Sequence, residues 1–258
     1  MIFFFGIKSR HIVSKLTIPR FQNRKKSNKD YLLYEATIHN KKWNIKCLDN
    51  VELNQDFYQI NSDQINNDQI FFLATPKDIV FFENNNNNNK LIELNDYTDT
   101  TPAFRANLQV SINGGGFSSY QSEYPYFIIT KKGSILSSIS SLSNKSADKN
   151  IIFLKNVYED PIKEEFKVYF IDIKDKKILK EETILTNFTN EVVVEKDLIK
   201  PGVFIFTDKY IVVPIFCSIK DKHISLEHTH PLHEFVQSSD RFKKLAELKQ
   251  EFRDIIDS

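Results

Sequence analysis

Short runs of Val, Ile, Phe, Tyr and Thr recur along the chain, separated by Lys, Asp, Asn, Gly or Pro. Such runs are typical of β-strands, and strands at short spacing favour antiparallel pairing. The sequence therefore predicts a mainly β protein, either an antiparallel β-sandwich or a jelly-roll-like domain. The predicted strands are 2–7, 31–38, 42–48, 69–73, 79–82, 103–112, 126–130, 151–156, 166–173, 178–185, 191–195, 203–207, 210–219 and 223–227.

Two predicted hairpins share the turn sequence Ile-Lys-Asp-Lys, at residues 173–176 and 219–222. A third is predicted between 203–206 and Tyr210. The shared turn does not recur at a fixed period, so it indicates no internal sequence repeat. Pro214 has no N–H for a ladder, and this predicts a bulge or a sheet edge there.

A single long helix is predicted at residues 238–257, where Ser238, Ser239 or Asp240 could cap its start. Its apolar residues recur at steps of three and four, which predicts an amphipathic helix. We expect it to lie across a sheet; the alternative is a dimerising helix. The apolar positions are Phe242, Leu245, Leu248, Phe252 and Ile255.

Six consecutive Asn residues, 84–89, have no means of forming a core and suggest a domain boundary. We predict an N-terminal β-rich segment at 1–83 and an Asn-rich linker or insertion at 84–101. A β-sandwich domain would follow at 102–258 and end in the helix. One continuous domain with a long loop is the alternative.

Composition excludes some classes of protein. Apolar residues make up 41% of the chain, which excludes disorder throughout. The 35 Lys and Arg nearly balance the 34 Asp and Glu, which gives no strong nucleic-acid signal, and the basic run at 20–29 is interpreted as a solvated loop. No stretch predicts a membrane span or a secretory signal, and Cys47 and Cys217 lack metal or disulfide spacing. We therefore expect a cytoplasmic protein.

Four of the six histidines lie between His223 and His233, followed by Glu234. In a strand, Ile224, Leu226, His228 and His230 would share one face, and Glu227 would point away. The candidate metal ligands are His228, His230, His233 and Glu234, and the metal would be Zn²⁺ or another divalent transition metal. The alternative is a hydrogen-bonded polar corner without metal, in which Pro231 ends the strand.

Two resemblances accompany this cluster. His228-x-His230-x-x-x-Glu234 resembles the first metal motif of cupins, in which two histidines and a glutamate converge inside a β-barrel. His228-Thr229-His230-Pro231 with Ser238 is similar to the JAMM metallopeptidase motif. Each resemblance implies a bound metal. The chain has Arg241 where the JAMM motif needs an aspartate and carries no second cupin motif, so no family is assigned.

A second candidate site is the glycine- and tyrosine-rich stretch 111–126, which contains three of the six glycines. Glycines let backbone approach a ligand, and aromatic and amide groups together suit a sugar- or peptide-binding loop. A long hairpin loop between 103–112 and 126–130 is the alternative. The candidate ligand-binding residues are Gly114, Gly115, Gly116, Tyr120, Gln121 and Tyr124.

The sequence favours a non-enzymatic binding or interaction module that takes a small ligand or a protein partner through this loop and the histidine corner. One alternative is a metal-dependent hydrolase or oxygenase built on His228 and His230. Another is a structural subunit of an oligomer or larger assembly. It would dock through the apolar N-terminal strand or the C-terminal helix.

Overall fold

A computed structural model describes the backbone of residues 1–20, 30–85, 89–94, 105–228 and 239–258, and the side chains of these residues except 239–242. The described residues form two compact units. The first consists of residues 1–130, 157–163 and 187–189, and the second of 131–156, 164–186 and 190–258. The division of the chain into an N-terminal segment 1–83, a linker 84–101 and a domain 102–258 concerns which parts fold independently, and it stays a prediction.

The first unit contains two five-stranded antiparallel sheets. Its elements are β1 (Ile2–Phe4), β2 (Val13–Pro19), β3 (Leu32–His39), β4 (Lys42–Cys47), β5 (Glu52–Asn54), β6 (Phe57–Asn61), β7 (Ile70–Ala74), α1 (Pro76–Asn85), β8 (Asn107–Ser111), β9 (Phe117–Tyr120), β10 (Glu123–Pro125) and α2 (Tyr126–Ile129). Sheet I has the order β10-β1-β7-β3-β4, and sheet II has the order β5-β6-β2-β8-β9.

The second unit contains two four-stranded antiparallel sheets and the C-terminal helix. Its elements are β11 (Leu136–Ser138), α3 (Ile139–Leu142), β12 (Lys149–Lys155), β13 (Glu165–Asp172), β14 (Lys177–Leu185), β15 (Thr189–Val194), β16 (Val203–Thr207), β17 (Val213–Lys220), β18 (His223–His228) and α4 (Ser239–Asp257). Sheet III has the order β11-β16-β13-β14, and sheet IV has the order β15-β12-β17-β18.

The two units repeat one strand order. β1-β7-β3-β4 of sheet I corresponds to sheet III strand by strand along the chain, and β6-β2-β8-β9 of sheet II corresponds to sheet IV. In both units the chain passes from one sheet to the other in the same sequence, and β5, β10 and α1 are additions in the first unit. The fold therefore contains a duplicated topology, although the sequence has no repeat at a fixed period.

The mainly β class, the antiparallel pairing and the C-terminal helix are confirmed. The predicted arrangement as a sandwich or jelly roll is wrong, because the described strands form four sheets and the chain alternates between two of them in each unit. β8 and β10 pair with strands that precede residue 84, and β9 continues the same sheet beside β8. Alternating polarity indicates which face of a strand is buried, but it does not specify the neighbouring strand.

Two predicted strands are helices. Residues 79–82 lie in α1, whose start is capped by Thr75: its Oγ1 donates to the Asp78 carboxylate at 2.8 Å, and the Asp78 N–H donates back to Oγ1 at 3.2 Å. Thr75-Pro76-Lys77-Asp78 is a recognisable helix start, with proline at the first helical position. Residues 126–129 form α2.

Two of the three predicted hairpins are confirmed, β13–β14 and β17–β18, and the positive φ angles of Lys176 and Asp221 lie in their turns. The third is wrong, because β16 and β17 belong to different sheets. Pro214 lies beyond the last β17–β18 pair, Ile215 with His228, so its missing N–H costs no bond to that neighbour.

The helix α4 lies on sheet III, as the sequence predicts. Phe252 is fully buried against Tyr169, Ile171 and Phe206, and the half-buried Leu248, Ile255 and Ile256 extend the same contact. The other face of β13 buries Phe166, Val168 and Phe170. The sheet is therefore covered on both sides along this strand, and α4 is part of the core of the second unit.

Candidate ligand-binding face

In β2, β6 and β8 of sheet II, buried and accessible side chains alternate along the strand. In β2, Ser14, Leu16 and Ile18 are buried, whereas Val13, Lys15 and Thr17 are not. Strands β6 and β8 follow the same period of two, and in β9 the side chains of Phe117 and Ser119 are exposed whereas Tyr120 is buried. Because directly paired residues of antiparallel strands point to one face, the accessible residues form a continuous surface.

Strand register fixes the neighbours on this surface. We call this surface the amide face. Its ten residues form three rows across the strands, namely Val13, Ser111 and Phe117; Asn61, Lys15, Gln109 and Ser119; and Gln59, Thr17 and Asn107.

The amide face is rich in uncharged polar groups, and Lys15 carries its only formal charge. Gln59 donates to Asn61 at 3.1 Å, and Ser111 donates to the Val13 carbonyl at 3.3 Å. Within the described part of the chain, five side chains of the face make no hydrogen bond to protein: Lys15, Thr17, Asn107, Gln109 and Ser119. Their donors and acceptors are thus available to a ligand.

A glycine-containing hairpin borders this face. The Gly115 N–H donates to the Ile112 carbonyl at 3.0 Å, which closes a tight turn between β8 and β9. Gly114 has a φ of +68°, and a Cβ there would have no atom within 4 Å, so the glycine serves the backbone conformation alone. The turn leads directly into Phe117, whose side chain is 65% exposed.

The predicted binding residues of this stretch occupy different environments. Gly114, Gly115 and Gly116 lie at the hairpin tip, and Gln121 follows β9 in a turn in which its carbonyl accepts from the Glu123 N–H at 2.7 Å. Tyr120 and Tyr124 are buried, and burial raises the pKa of both phenols. The tip therefore borders the amide face, whereas the two tyrosines belong to the core.

The matching surface of the second unit is different. β12 and β17 correspond to β2 and β8, yet β12 is buried on both faces from Asn150 to Lys155, and β17 from Val213 to Ser218. Sheets II and IV are topologically equivalent, but the central strands of sheet IV are covered and mostly apolar, whereas those of sheet II present amides and hydroxyls. The duplicated fold does not require a polar surface at this position.

The histidine corner lies mostly outside the described residues. His230, His233 and Glu234 are not among them, whereas His228 ends β18 opposite Ile215 and is half-buried. Ile224, Leu226 and His228 share the half-buried face and Glu227 is exposed, as predicted. Burial lowers the pKa of His228, although the negative charge of Glu227 opposes this. The described residues hold no group of three or more His, Cys, Asp or Glu suited to a metal ion.

A buried polar cluster joins sheet II to the residue that precedes β3. Arg20, which begins the predicted basic run, is 4% exposed; it donates to the Tyr58 hydroxyl and pairs with Glu52, and Tyr58 donates to the Tyr31 carbonyl at 2.9 Å. The rest of that run, 21–29, lies outside the described residues. These contacts hold the end of β2 against β6 and are structural.

Cys47 lies directly opposite Tyr34 on the paired strands β3 and β4. Burial raises the pKa of its thiol, and the charge of Asp49 adds to this effect. A thiol in such surroundings stays protonated, which disfavours a nucleophilic role.

A second polar cluster stabilises loops of the second unit. Tyr210 is fully buried and donates from its hydroxyl to Glu164 at 2.6 Å, and Lys209 bonds to the other carboxylate oxygen. These two bonds, from Lys209 first, lower the pKa of Glu164. The carboxylate is already engaged by two partners, so the cluster is an anchor for the segment before β17.

Sequence reasoning missed the amide face because β2, β6 and β9 were not predicted as strands. The signal was present: Lys15-Leu16-Thr17-Ile18 and Phe57-Tyr58-Gln59-Ile60-Asn61 alternate between polar or accessible and buried apolar positions. These segments are short and contain Ser, Lys, Gln and Asn, which are weak strand formers.

The chain matches no protein-family model, and comparisons with curated proteins and with solved structures give no match. Among the helices in the described ranges, none has both the length and the apolar character needed to cross a membrane. Inferences about function therefore depend on the geometry of the two units.

Proposed function

We propose that the protein is a non-enzymatic binding module whose ligand docks on the amide face beside the Gly114 hairpin. The observation that carries this proposal is the combination of the exposed ring of Phe117 with hydrogen-bonding side chains that have no partner among the described residues. Binding sites pair apolar area with a few available polar groups, and the face supplies both.

The form of the surface favours binding over catalysis. The face is a sheet surface of amides, hydroxyls and one ammonium, and its ten residues include no carboxylate, histidine or cysteine that could act as acid, base or nucleophile. Elsewhere in the described chain, Glu164 is held by two partners and the pKa of Cys47 is raised.

Packing argues against the assembly alternative in the form predicted. β1 lies between β10 and β7 inside sheet I, and α4 covers sheet III through Phe252. Neither element offers its main apolar side chains to another chain. The amide face therefore remains the better supported interaction surface.

The proposal is tested by transverse-relaxation-optimised NMR on deuterated protein with panels of neutral oligosaccharides, uncharged peptides, anionic metabolites and divalent metals. We expect at least one panel to shift the amide signals of β2, β8 and β9. The shifts should disappear in Phe117→Ala and persist in Phe81→Ala, because Phe81 of α1 is similarly exposed, at 54%, outside the face.

The bound probe should be recovered chemically unchanged after prolonged incubation, as a non-enzymatic role requires. The proposal is overturned if no panel shifts these strands, if the Phe81 variant loses binding equally, or if the probe is converted. Thermal unfolding of both variants should match that of the wild type, since each change removes an exposed side chain.

A further inference from the structure

We infer that the ligand of the amide face is a neutral oligosaccharide chain, an assignment that rests on the proposed function. The inference joins three properties of the face: its low charge, the kind of polar groups it offers, and the position of its aromatic ring.

Charge indicates a neutral ligand. Of all residues, 27% are charged, yet Lys15 is the single charged residue among the ten on this face. An anionic ligand would be met by clustered Arg or Lys and a cationic one by carboxylates. The single ammonium of Lys15 among amides and hydroxyls suits neither an anionic nor a cationic ligand.

The polar groups match sugar hydroxyls. A sugar hydroxyl both donates and accepts, as do the side chains of Asn107, Gln109 and Thr17, whereas ammonium groups only donate and carboxylates only accept. These three side chains have no protein partner in the described structure. They can therefore bond to neighbouring hydroxyls without first breaking a bond within the protein.

Backbone pairing argues against an extended peptide. β2 is paired on both sides, with β6 and β8, and β8 is paired with β2 and β9. A peptide that adds a strand needs free N–H and C=O groups at a sheet edge, which these central strands do not offer. A ligand over β2 and β8, which carry six of the ten residues of the face, therefore meets side chains alone.

Phe117 gives the face its apolar platform. Its exposed ring shares a row with Ser111 and Val13, the latter 49% exposed, so apolar surface flanks the amides on one side. Sugar rings carry apolar C–H faces between their hydroxyls. Such a face can stack on Phe117 while hydroxyls of the following sugars bond to Gln109 in the next row and to Asn107 in the row beyond it.

The test is calorimetric titration of the full chain with neutral oligosaccharides of increasing length and with uncharged peptides as comparison. We expect oligosaccharide affinity to rise with chain length and to be unaffected by salt. Phe117→Ala should weaken it about tenfold or more, through loss of one aromatic contact. Gln109→Ala should also weaken it, whereas Phe81→Ala should not.

Lys15→Gln separates the remaining ligand classes. Sugar binding should stay independent of salt in this variant, because the amide still forms hydrogen bonds and no ion pair contributes to the affinity. An anionic ligand should lose both affinity and salt sensitivity in this variant. Binding of peptides or anions in place of neutral sugars, dependent on Phe117, would overturn the sugar assignment and leave the binding function standing. Absence of every ligand from the face would overturn both.

Discussion

The ring of Phe252 in α4 stacks on the ring of Phe206 in β16, with centroids 5.6 Å apart and planes inclined by 14°. Phe204, two residues earlier on the same strand, meets the Phe252 ring edge-on, also with centroids 5.6 Å apart. Aromatic pairs in these geometries contribute beyond their buried area. The side chain of Phe252 thus packs α4 against two aromatic residues of sheet III.

Phe252→Ala should lower the free energy of unfolding by about 3–5 kcal/mol, the range for removing a fully buried phenylalanine. Lys244→Ala on the exposed side of α4 should change it by less than about 0.5 kcal/mol. Urea denaturation followed by circular dichroism measures both. Equal effects of the two variants would show that α4 is not docked in solution.

Lys249 is not a suitable neutral control in this helix. It is half-buried, and its Nζ donates to the Ser134 carbonyl at 2.5 Å, so its removal would break a contact between α4 and the segment before β11. Burial, with the charge of Arg253 adding to it, lowers the pKa of Lys249. The helical pattern places Lys249 on the polar side of α4, and only the folded structure indicates its contact with Ser134.

The sequence allowed the mainly β class, two hairpins and α4 to be predicted, because each depends on local patterns. The apolar stripe of α4 predicted that Phe252 and Leu248 would be covered by another element. The pairing of β2 with β6 and β8 joins residues far apart in the chain, and no local pattern specifies it. The same limit concealed the duplicated strand order, since equivalent strands share position and not sequence.

The structure describes both ends of the six-Asn run, which the sequence predicted to be part of a linker or insertion without a core. Asn84 and Asn85 end α1, residues 86–88 lie outside the described ranges, and Asn89 accepts from the Trp43 N–H at 3.3 Å and donates to the Lys41 carbonyl at 2.9 Å. Asn89 therefore anchors the β3–β4 hairpin.

Asn89→Ala should destabilise the protein by about 1–2 kcal/mol, because two net hydrogen bonds to the hairpin are lost. Asn84→Ala is the matched control from the same run, and it should be neutral or slightly stabilising, since alanine favours a helix. Thermal unfolding distinguishes them. If the two variants melt alike, the run acts as a plain linker along its whole length.

Glu164 should contribute to a stability that depends on pH. Its pKa is lowered by Lys209 and Tyr210, so the unfolded chain binds a proton more readily than the folded one. The contribution is fully present above the unfolded value of about 4.3 and is lost as pH falls through the lower folded value.

Glu164→Gln should therefore be less stable than wild type at neutral pH, and the difference should shrink as pH falls below about 4.3. Glu165→Gln, which changes the exposed neighbour and leaves the bonds of Glu164 to Lys209 and Tyr210 in place, is the matched control. Urea unfolding at a series of pH values gives the two curves. A difference independent of pH would mean that the contacts of Glu164 do not depend on its charge.

The candidate binding site was predictable only in part. The glycines at 114–116 predicted either a ligand-binding loop or a long hairpin loop, and the structure has a tight turn there with Gly114 at a positive φ. Tyr120 and Tyr124 share the composition of a binding loop, but β9 and β10 turn them into the core. Which side of a strand an aromatic residue occupies depends on register, and register follows from pairing. Phe117 stands on the accessible side for the same reason.

The histidine corner gives a final prediction, which separates the polar corner from a metal centre. His228 is half-buried on the face of β18 that it shares with Ile224 and Leu226, and burial lowers its pKa, so the imidazole is neutral near pH 7. A neutral imidazole can either bind a metal or accept a hydrogen bond.

We expect protein purified without chelators to carry less than one equivalent of any transition metal by elemental analysis. His228→Ala should then reduce stability by leaving a partly filled space, whereas His223→Ala, at the exposed start of the same strand, should not. Stoichiometric zinc that is lost in the His228 variant and retained in the His223 variant would reverse this expectation, and the metal-dependent alternative would then account for the corner.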